Sequence, residues 1–325
     1  CIELRHPWAE NVRFSICSNG VLYFTKEVQD FLQKWRNKVS FSISIDGNKE
    51  LHDSCRVFPD GSPSYDIAVA GALDYTQKGG YMGSKTTLAP ENLTYTYQAI
   101  RHMYELGYRE LNANCVYEAD WTIDHARLFY QELKKLADFF LAQNDAREID
   151  CSLFEETFFR PMEEGDNQNW CGGTGMMLSC DPEGRLYPCI RYMESSLGCT
   201  RKPIIIGDVW RGIGATKEQK NLILDMQTVT RKSQSTDECF YCPIAAGCSW
   251  CSAYNYQETG SYNKRVTKIC IMHKARALAN IYYWNRLYKK LGWSQRFKIN
   301  IPKEWAMEII SEDEWNLLLQ LENKN

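Results

Sequence analysis

Nine of the 14 cysteines in this 325-residue chain lie within 100 residues, in the segment 171–270. Thiolates bind zinc and iron–sulfur clusters, and a C-x2-C spacing lets two of them reach one metal centre. Eight of the nine fall into two arrays, which are Cys171, Cys180 and Cys189, then Cys239, Cys242, Cys248, Cys251 and Cys270. Eight thiolates suffice for two four-cysteine centres, so the spacing predicts metal binding and leaves zinc and 4Fe–4S clusters both open.

Composition argues against other uses of these cysteines. A chain of this length with 44% hydrophobic residues can bury a core without disulfides, and its first residues lack the apolar core of a signal peptide. We therefore expect thiols in a reducing, cytoplasmic location. The net charge of −3 argues against a nucleic-acid partner, and the lack of a long apolar run argues against a membrane.

The first half of the chain alternates strand-like and helical sequence patterns, and these elements must position the residues of a site. The predicted strands are 12–17, 39–45, 82–88 and 110–116, and the predicted helices are 26–35, 65–77, 90–107 and 122–142. This order predicts an α/β fold with parallel strands, whose carboxyl ends share one site. Four units cannot close a barrel, and the helix-like segment 1–10 with no initiator Met suggests that further units lie upstream.

The second half loses this periodicity at about residue 150. Residues 181–184 are a turn signal that predicts a hairpin between cysteines of the first array. A helix is predicted over 274–291, and a capping box at 311–314 opens an amphipathic terminal helix. We expect three parts: a strand–helix core over 1–150, a cysteine-rich domain over 151–275, and a helical extension over 276–325.

The cysteine spacing resembles the SPASM domain of radical S-adenosylmethionine (SAM) enzymes. Its pattern C-x(9–15)-G-x4-C is met by Cys171, Gly184 and Cys189, and the later cysteines follow in order, although two residues lie between Cys248 and Cys251 where the pattern has three. The strings FSICSNG and SISIDG, the latter followed by HDSCR, resemble the third and fourth strands of the family's partial (β/α)6 barrel. The chain looks most like maturases of cysteine-rich or CXXX-repeat peptides.

The resemblance implies ligand sets. Two auxiliary 4Fe–4S clusters would be bound, the first by Cys171, Cys180, Cys189 and Cys251 and the second by Cys239, Cys242, Cys248 and Cys270. SAM would lie at the strand ends, with Ser44 and Arg56 holding its methionyl carboxylate and with Ser18, Asn19 and Asp46 lining the same pocket.

The resemblance also frames the function. The C-x3-C-x2-C motif of the SAM-cleaving cluster is not in the sequence, so we expect that third cluster upstream and an inactive chain without it. Ile190 stands where sulfatase maturases place an Asp, which favours thioether formation on a cysteine-rich ribosomal precursor peptide over formylglycine chemistry. The electron donor would be a ferredoxin or flavodoxin. The alternative is a zinc-stabilised binding module without catalytic activity.

Other reactive residues have simpler interpretations. Cys17, Cys115 and Cys151 lie in apolar runs and are expected to be buried small hydrophobes, and Cys55 and Cys199 are expected to be inert. His52 and Asp53 are expected to structure a loop, and His273 to cap or pack.

Overall fold

A computed structural model describes residues 11–81 and 83–323, so the helix expected over 1–10 lies outside the described residues. The strands of the first part are β1 (Phe14–Ser18), β2 (Val39–Ile43), β3 (Ser84–Leu88), β4 (Glu110–Cys115) and β5 (Asp150–Cys151). Its helices are α1 (Lys26–Lys34), α2 (Lys49–Cys55), α3 (Tyr65–Gln77), α4 (Thr96–Glu105) and α5 (Ile123–Ala142). The predicted strand–helix alternation is confirmed, and a 3-10 turn over Pro90–Tyr95 precedes α4.

The strands form two parallel sheets. One pairs β1 with β2, and the other has the order β3-β4-β5. Within the described residues, no ladder joins β2 to β3. The space between these strands is a cavity of about 530 Å³, which is lined by side chains that include Ser40, Ser42, Lys85 and Asn112.

The two faces of these sheets differ in polarity. Phe41, Ile43 and Leu111 are buried on the face that packs against the helices. The alternate positions on the other face are polar, and they include Ser15, Cys17, Ser40, Ser42, Lys85, Thr87, Asn112 and Asn114. Because the inside of a closed barrel is normally filled with branched apolar side chains, a polar inner face indicates a concavity open to water or ligand.

The loop expected between β2 and α3 contains the short helix α2. Its sequence KELHDSC has few apolar residues, so hydrophobic periodicity could not reveal it. Ser64 precedes α3, but its side chain does not cap the helix, because its hydroxyl donates to the Arg56 carbonyl oxygen (2.8 Å). The Asp53 carboxylate accepts from the Ser64 and Tyr65 backbone N–H groups instead, which gives Asp53 the expected loop-structuring role.

The cysteine-rich part contains the predicted hairpin. Strands β6 (Ser179–Cys180) and β7 (Arg185–Tyr187) pair antiparallel, and Gly184 turns between them at φ +75°. The sheet continues with β8 (Gly207–Asp208) and β9 (Gly212–Ile213). Five helices follow the hairpin in this part, and they are α6 (Glu194–Leu197), α7 (Lys217–Gln227), α8 (Arg231–Gln234), α9 (Asp237–Phe240) and α10 (Ser252–Thr259).

The longest helix joins the two halves. Helix α11 (Cys270–Leu291) packs along α5, and most of its residues are buried, including the predicted stripe Ala277, Ile281, Trp284 and Tyr288. Its first residue belongs to the second cysteine array, so the expected boundary at residue 275 falls inside a helix. Helices α12 (Lys303–Ala306) and α13 (Glu312–Asn323) close the chain, and Ser311 caps α13 by accepting from the Glu314 N–H (3.3 Å).

Candidate metal centres and strand-edge site

The carboxyl ends of β1 and β2 bring the predicted SAM-binding residues to one edge. The Ser44 N–H donates to the Ser18 carbonyl oxygen (2.8 Å), which places the two chain segments side by side. The Ser18 hydroxyl and the Asn19 side-chain oxygen accept from the N–H groups of Gly20 and Val21, which shape the turn after β1. The Ser44 hydroxyl contacts the Cys17 sulfur (3.2 Å) on the polar inner face.

A ring of hydrogen bonds holds Arg56 beside this edge. The Arg56 guanidinium forms an ion pair with the Asp46 carboxylate, and the Asp46 N–H donates to His52 Nδ1 (3.3 Å). His52 Nε2 contacts the Ser64 hydroxyl (3.1 Å), which in turn bonds the Arg56 carbonyl oxygen. Burial lowers the pKa of His52, so its ring is neutral at pH 7 and holds the loop through hydrogen bonds.

Cys17 was expected to be a buried small hydrophobe, and this prediction is wrong. It is exposed on the inner face, whereas Cys115 and Cys151 are buried as expected. Hydrogen bonds with Ser44 and Ser42, together with the charges of Arg56 and Lys85, lower the pKa of the Cys17 thiol. The alternation of Ser15 and Cys17 with Phe14 and Ile16 was the signal in the sequence that could have placed this thiol on the polar face.

Three thiols of the predicted first ligand set lie together. Gly173 lies between the Cys171 and Cys189 sulfurs, since a Cβ built there would be 3.5 and 3.1 Å from them. Burial raises the pKa of the Cys189 thiol, and the charges of Cys251 and Cys171 raise it further. Burial, and then the charges of the same three sulfurs, raise the pKa of the Tyr192 hydroxyl, whereas Ser252 lowers it. Within the described residues this hydroxyl forms no hydrogen bond of good geometry.

Cys180 is placed apart from these three. It is exposed in β6, and its thiol donates to the Asp181 carbonyl oxygen (3.3 Å). The Asp181 side chain is fixed by bonds from the Arg185 N–H (2.8 Å) and the Tyr187 hydroxyl (2.7 Å), so the hairpin is rigid at this point. Among the described residues, the hydrogen-bond partner of the Cys180 sulfur is this neighbouring carbonyl oxygen and none of the other three thiols.

The four thiols of the second predicted set also lie together. Burial raises the pKa of the Cys242 thiol, and the neighbouring charges of Cys248 and Cys239 raise it further. Cys270 keeps contact with solvent, but its sulfur is surrounded by protein atoms. This burial and the charges of Cys248, Cys242 and Cys239 raise the pKa of its thiol.

The surroundings of both thiol groups fit a bound anionic metal centre. Among the residues that the structure describes, the buried Tyr192 hydroxyl beside the first group and the Arg231 Nε and Arg265 Nη1 groups beside the second form no hydrogen bond. Buried polar groups normally have partners, so these atoms are expected to face one when a centre is bound. Within residues 11–81 and 83–323, no three His, Cys, Asp or Glu side chains close around a single metal ion.

A cavity of about 470 Å³ lies between the two thiol groups. Cys171 and Cys248 line it, and Tyr117, which follows β4, also borders it. The exposed Trp170 and the half-buried Trp250 contribute further apolar wall. The cavity therefore connects the cysteine-rich part with the edge of the strand–helix part.

Comparison with known proteins finds solved structures that share the fold of this chain. No family model matches the chain, and no curated protein matches it. Solved structures that share the fold are of a radical SAM peptide maturase with a SPASM domain. That enzyme is anSMEcpe, whose complex with AdoMet has a TM-score of 0.57 at 16% identity, covering 95% of this chain and 78% of that one. Its complex with AdoMet and the Cp18Cys peptide gives 0.57 at 15%, covering 89% and 80%.

At these identities the likeness establishes the fold alone. The expected α/β fold class is confirmed, and the structure is similar to that of a radical SAM enzyme with a SPASM domain. No helix in the described part of the chain is long and apolar enough to span a membrane.

Proposed function

We propose that this chain is part of a radical SAM enzyme that modifies a ribosomally made, cysteine-rich peptide. The observation that carries the proposal is the separation of seven array cysteines into two groups, one of three and one of four thiols, on a fold shared with such a maturase. The resemblance implied the same division between two clusters, with Cys180 as a fourth member of the first set. The expected division at residues 150 and 275 remains part of the proposal.

Two 4Fe–4S clusters would be held by these groups, the second by Cys239, Cys242, Cys248 and Cys270. Such clusters, when bound, transfer single electrons and can bind a thiolate at an iron that lacks a protein ligand. The first group offers Cys171, Cys189 and Cys251. Because Cys180 hydrogen-bonds within its own hairpin, we propose that the first cluster keeps one iron free for a substrate cysteine.

The strand edge would bind SAM. Arg56, held by the ring through His52 and Ser64, offers a fork suited to the methionyl carboxylate, and Ser44 lies beside it. Asp46 already neutralises Arg56, so SAM binding would require the guanidinium to share or exchange this partner. Ser18, Asn19 and the polar inner face complete the pocket.

The peptide would enter the cavity between the thiol groups, where Trp170 and Trp250 supply apolar contact. Structures of anSMEcpe contain the Cp18Cys or Kp18Cys peptide, which supports a peptide partner. We propose thioether formation as the reaction, with a ferredoxin or flavodoxin as the electron donor and with the reducing cytoplasm as the location.

Anaerobic reconstitution followed by iron and sulfide analysis tests the proposal. We expect about eight iron and eight sulfide per chain, with a loss of about half in C189A and in C242A. The matched control C199A changes an exposed cysteine outside both groups and should keep the full content. C180S should also keep it. Zinc without sulfide in the native chain would contradict the proposal, and loss of half the iron in C180S would make Cys180 a ligand.

A further inference from the structure

Three arginines lie around the Cys248 segment of the second thiol group. Arg231 and Arg265 bond this segment, whereas Arg276 lines a small cavity with Ser249 and donates to the Ser152 carbonyl oxygen (2.6 Å). Arg231 is only 5% exposed. No carboxylate of the described residues forms an ion pair with it, with Arg265 or with Arg276. Burial, and then the charges of Arg276, Arg231 and Arg265, lower the pKa of His273 to about 3.

Two of these arginines bind the Cys248 segment directly. Arg231 donates to the Cys248 carbonyl oxygen (2.7 Å) and the Ala245 carbonyl oxygen (3.1 Å). Arg265 donates through Nη2 to the Cys248 sulfur (3.0 Å) and to the Ser249 carbonyl oxygen (2.9 Å). Arg265 is therefore in position to hydrogen-bond a metal ligand of the second group.

Each arginine has one buried N–H that forms no hydrogen bond with any residue that the structure describes. These atoms are Arg231 Nε, Arg265 Nη1 and Arg276 Nε. The carboxylates in electrostatic range have other constraints, because Asp166 is paired with Arg160 (2.7 Å) and burial raises the pKa of Glu155. Buried charge without an opposite charge is costly, so the site requires an anion.

The second thiol group can supply that anion. A 4Fe–4S cluster held by four thiolates is negatively charged, and reduction adds one more negative charge. Positive charges and hydrogen bonds to the sulfurs favour the reduced form, which raises the reduction potential. The sequence gives no hint of this, because Arg231, Arg265 and Arg276 are far apart along the chain and share no motif.

We propose that Arg231, Arg265 and Arg276 are positioning residues that neutralise the second cluster and raise its reduction potential, with Arg265 acting through its bond to Cys248. The inference rests on the proposed function. It assigns the second group to electron transfer at a raised potential, whereas the first group has no arginine bonded to a sulfur among the described residues.

An EPR-monitored redox titration of the reconstituted chain tests this inference. We expect R265Q to keep about eight iron and to have a lower midpoint potential for one cluster. The midpoint potential of that cluster in R265K should lie between the values for R265Q and the native chain. R211Q is the matched control, because Arg211 is exposed and paired with Asp208 (2.7 Å), and both of its potentials should stay unchanged.

The outcomes separate the two proposals. Unchanged potentials in a fully loaded R265Q would overturn the inference and leave the proposed function standing. A native chain that binds no iron and sulfide would overturn both. If circular dichroism shows that R265Q folds but the variant loses one cluster, R265K is the deciding variant. The inference requires R265K to bind that cluster again at a potential near the native value. Failure of R265K to do so overturns the inference.

Discussion

At the scale of single residues, the strand edge depends on how Arg56 is held. Its guanidinium faces Asp46, and its backbone is tied to the buried His52 through Ser64. The ring fixes the arginine before any ligand arrives, so little rotamer freedom remains to be lost on binding. The geometry of the fork, and not only its charge, is then the useful property.

Replacing Arg56 by lysine tests this. R56K keeps the charge but cannot form two parallel hydrogen bonds to a carboxylate, so we expect SAM affinity to fall roughly 10- to 100-fold. Equilibrium dialysis with labelled SAM on the reconstituted protein measures it. R101K is the matched control, because Arg101 is exposed and paired with Glu105. Equal affinity in R56K and the native protein would remove Arg56 from the SAM site.

His273 gives a prediction for pH. Its pKa is about 3 in the folded chain, chiefly because of burial and then because of three arginines, against about 6.5 when unfolded. The unfolded state therefore binds more protons than the folded state below pH 6.5. The contribution of His273 should lower the free energy of unfolding by roughly 1.4 kcal/mol for each pH unit as the pH is lowered from about 6 to 4.

The variant H273Q should remove that part of the pH dependence. The glutamine amide can donate to the Ile244 carbonyl oxygen as His273 Nε2 does (2.7 Å), but it does not titrate. Urea unfolding at several pH values compares the two chains. If the free energy of unfolding of H273Q changes with pH as steeply as that of the native chain, His273 does not control this pH dependence.

At the scale of elements, helix α11 is attached to the first half by buried amides. Asn280 Oδ1 accepts from the Glu155 N–H (2.8 Å) and the Trp284 indole N–H (3.1 Å), and its Nδ2 donates to the Leu153 carbonyl oxygen (2.8 Å). All the hydrogen-bonding capacity of this side chain is used. The bonds connect α11 to the turn after β5.

Truncation of Asn280 should be costly. N280A leaves at least three buried groups without partners, so we expect roughly 3 kcal/mol or more of lost folding free energy. Denaturant unfolding measures this, with N221A in the exposed face of α7 as a control expected within about 0.5 kcal/mol. A small effect of N280A would mean that water replaces the amide at this place.

Secondary structure was predictable where one face of an element is apolar. Helix α5 follows its stripe from Ala126 to Phe140, and β2 alternates buried and polar residues. Helix α2 was not predicted because it is short and has few apolar residues, although the Asn48 side chain, which accepts from the Leu51 N–H, is a local capping signal. The thiol groups followed from a spacing pattern, whereas the arginines around them are assembled only by the fold.

At the scale of the whole molecule, the 325 residues contain no C-x3-C-x2-C motif. In the proposed function the two thiol groups hold other clusters. We therefore expect no 5′-deoxyadenosine when the reconstituted chain is reduced with dithionite in the presence of SAM, as measured by chromatography. The maturase anSMEcpe, treated identically, serves as the positive control. Deoxyadenosine formed by this chain would show that one of its thiol groups cleaves SAM.

The order of the first turn of helix α11 would also report whether metal is bound. Its first residue, Cys270, belongs to the second thiol group, while its later turns are fixed against α5 in the core. Release of the metal would free the first turn to fray and leave the remaining turns protected. Fast amide hydrogen exchange over residues 271–274, beside slow exchange over 277–288, would thus be the footprint of an empty centre in an otherwise folded chain.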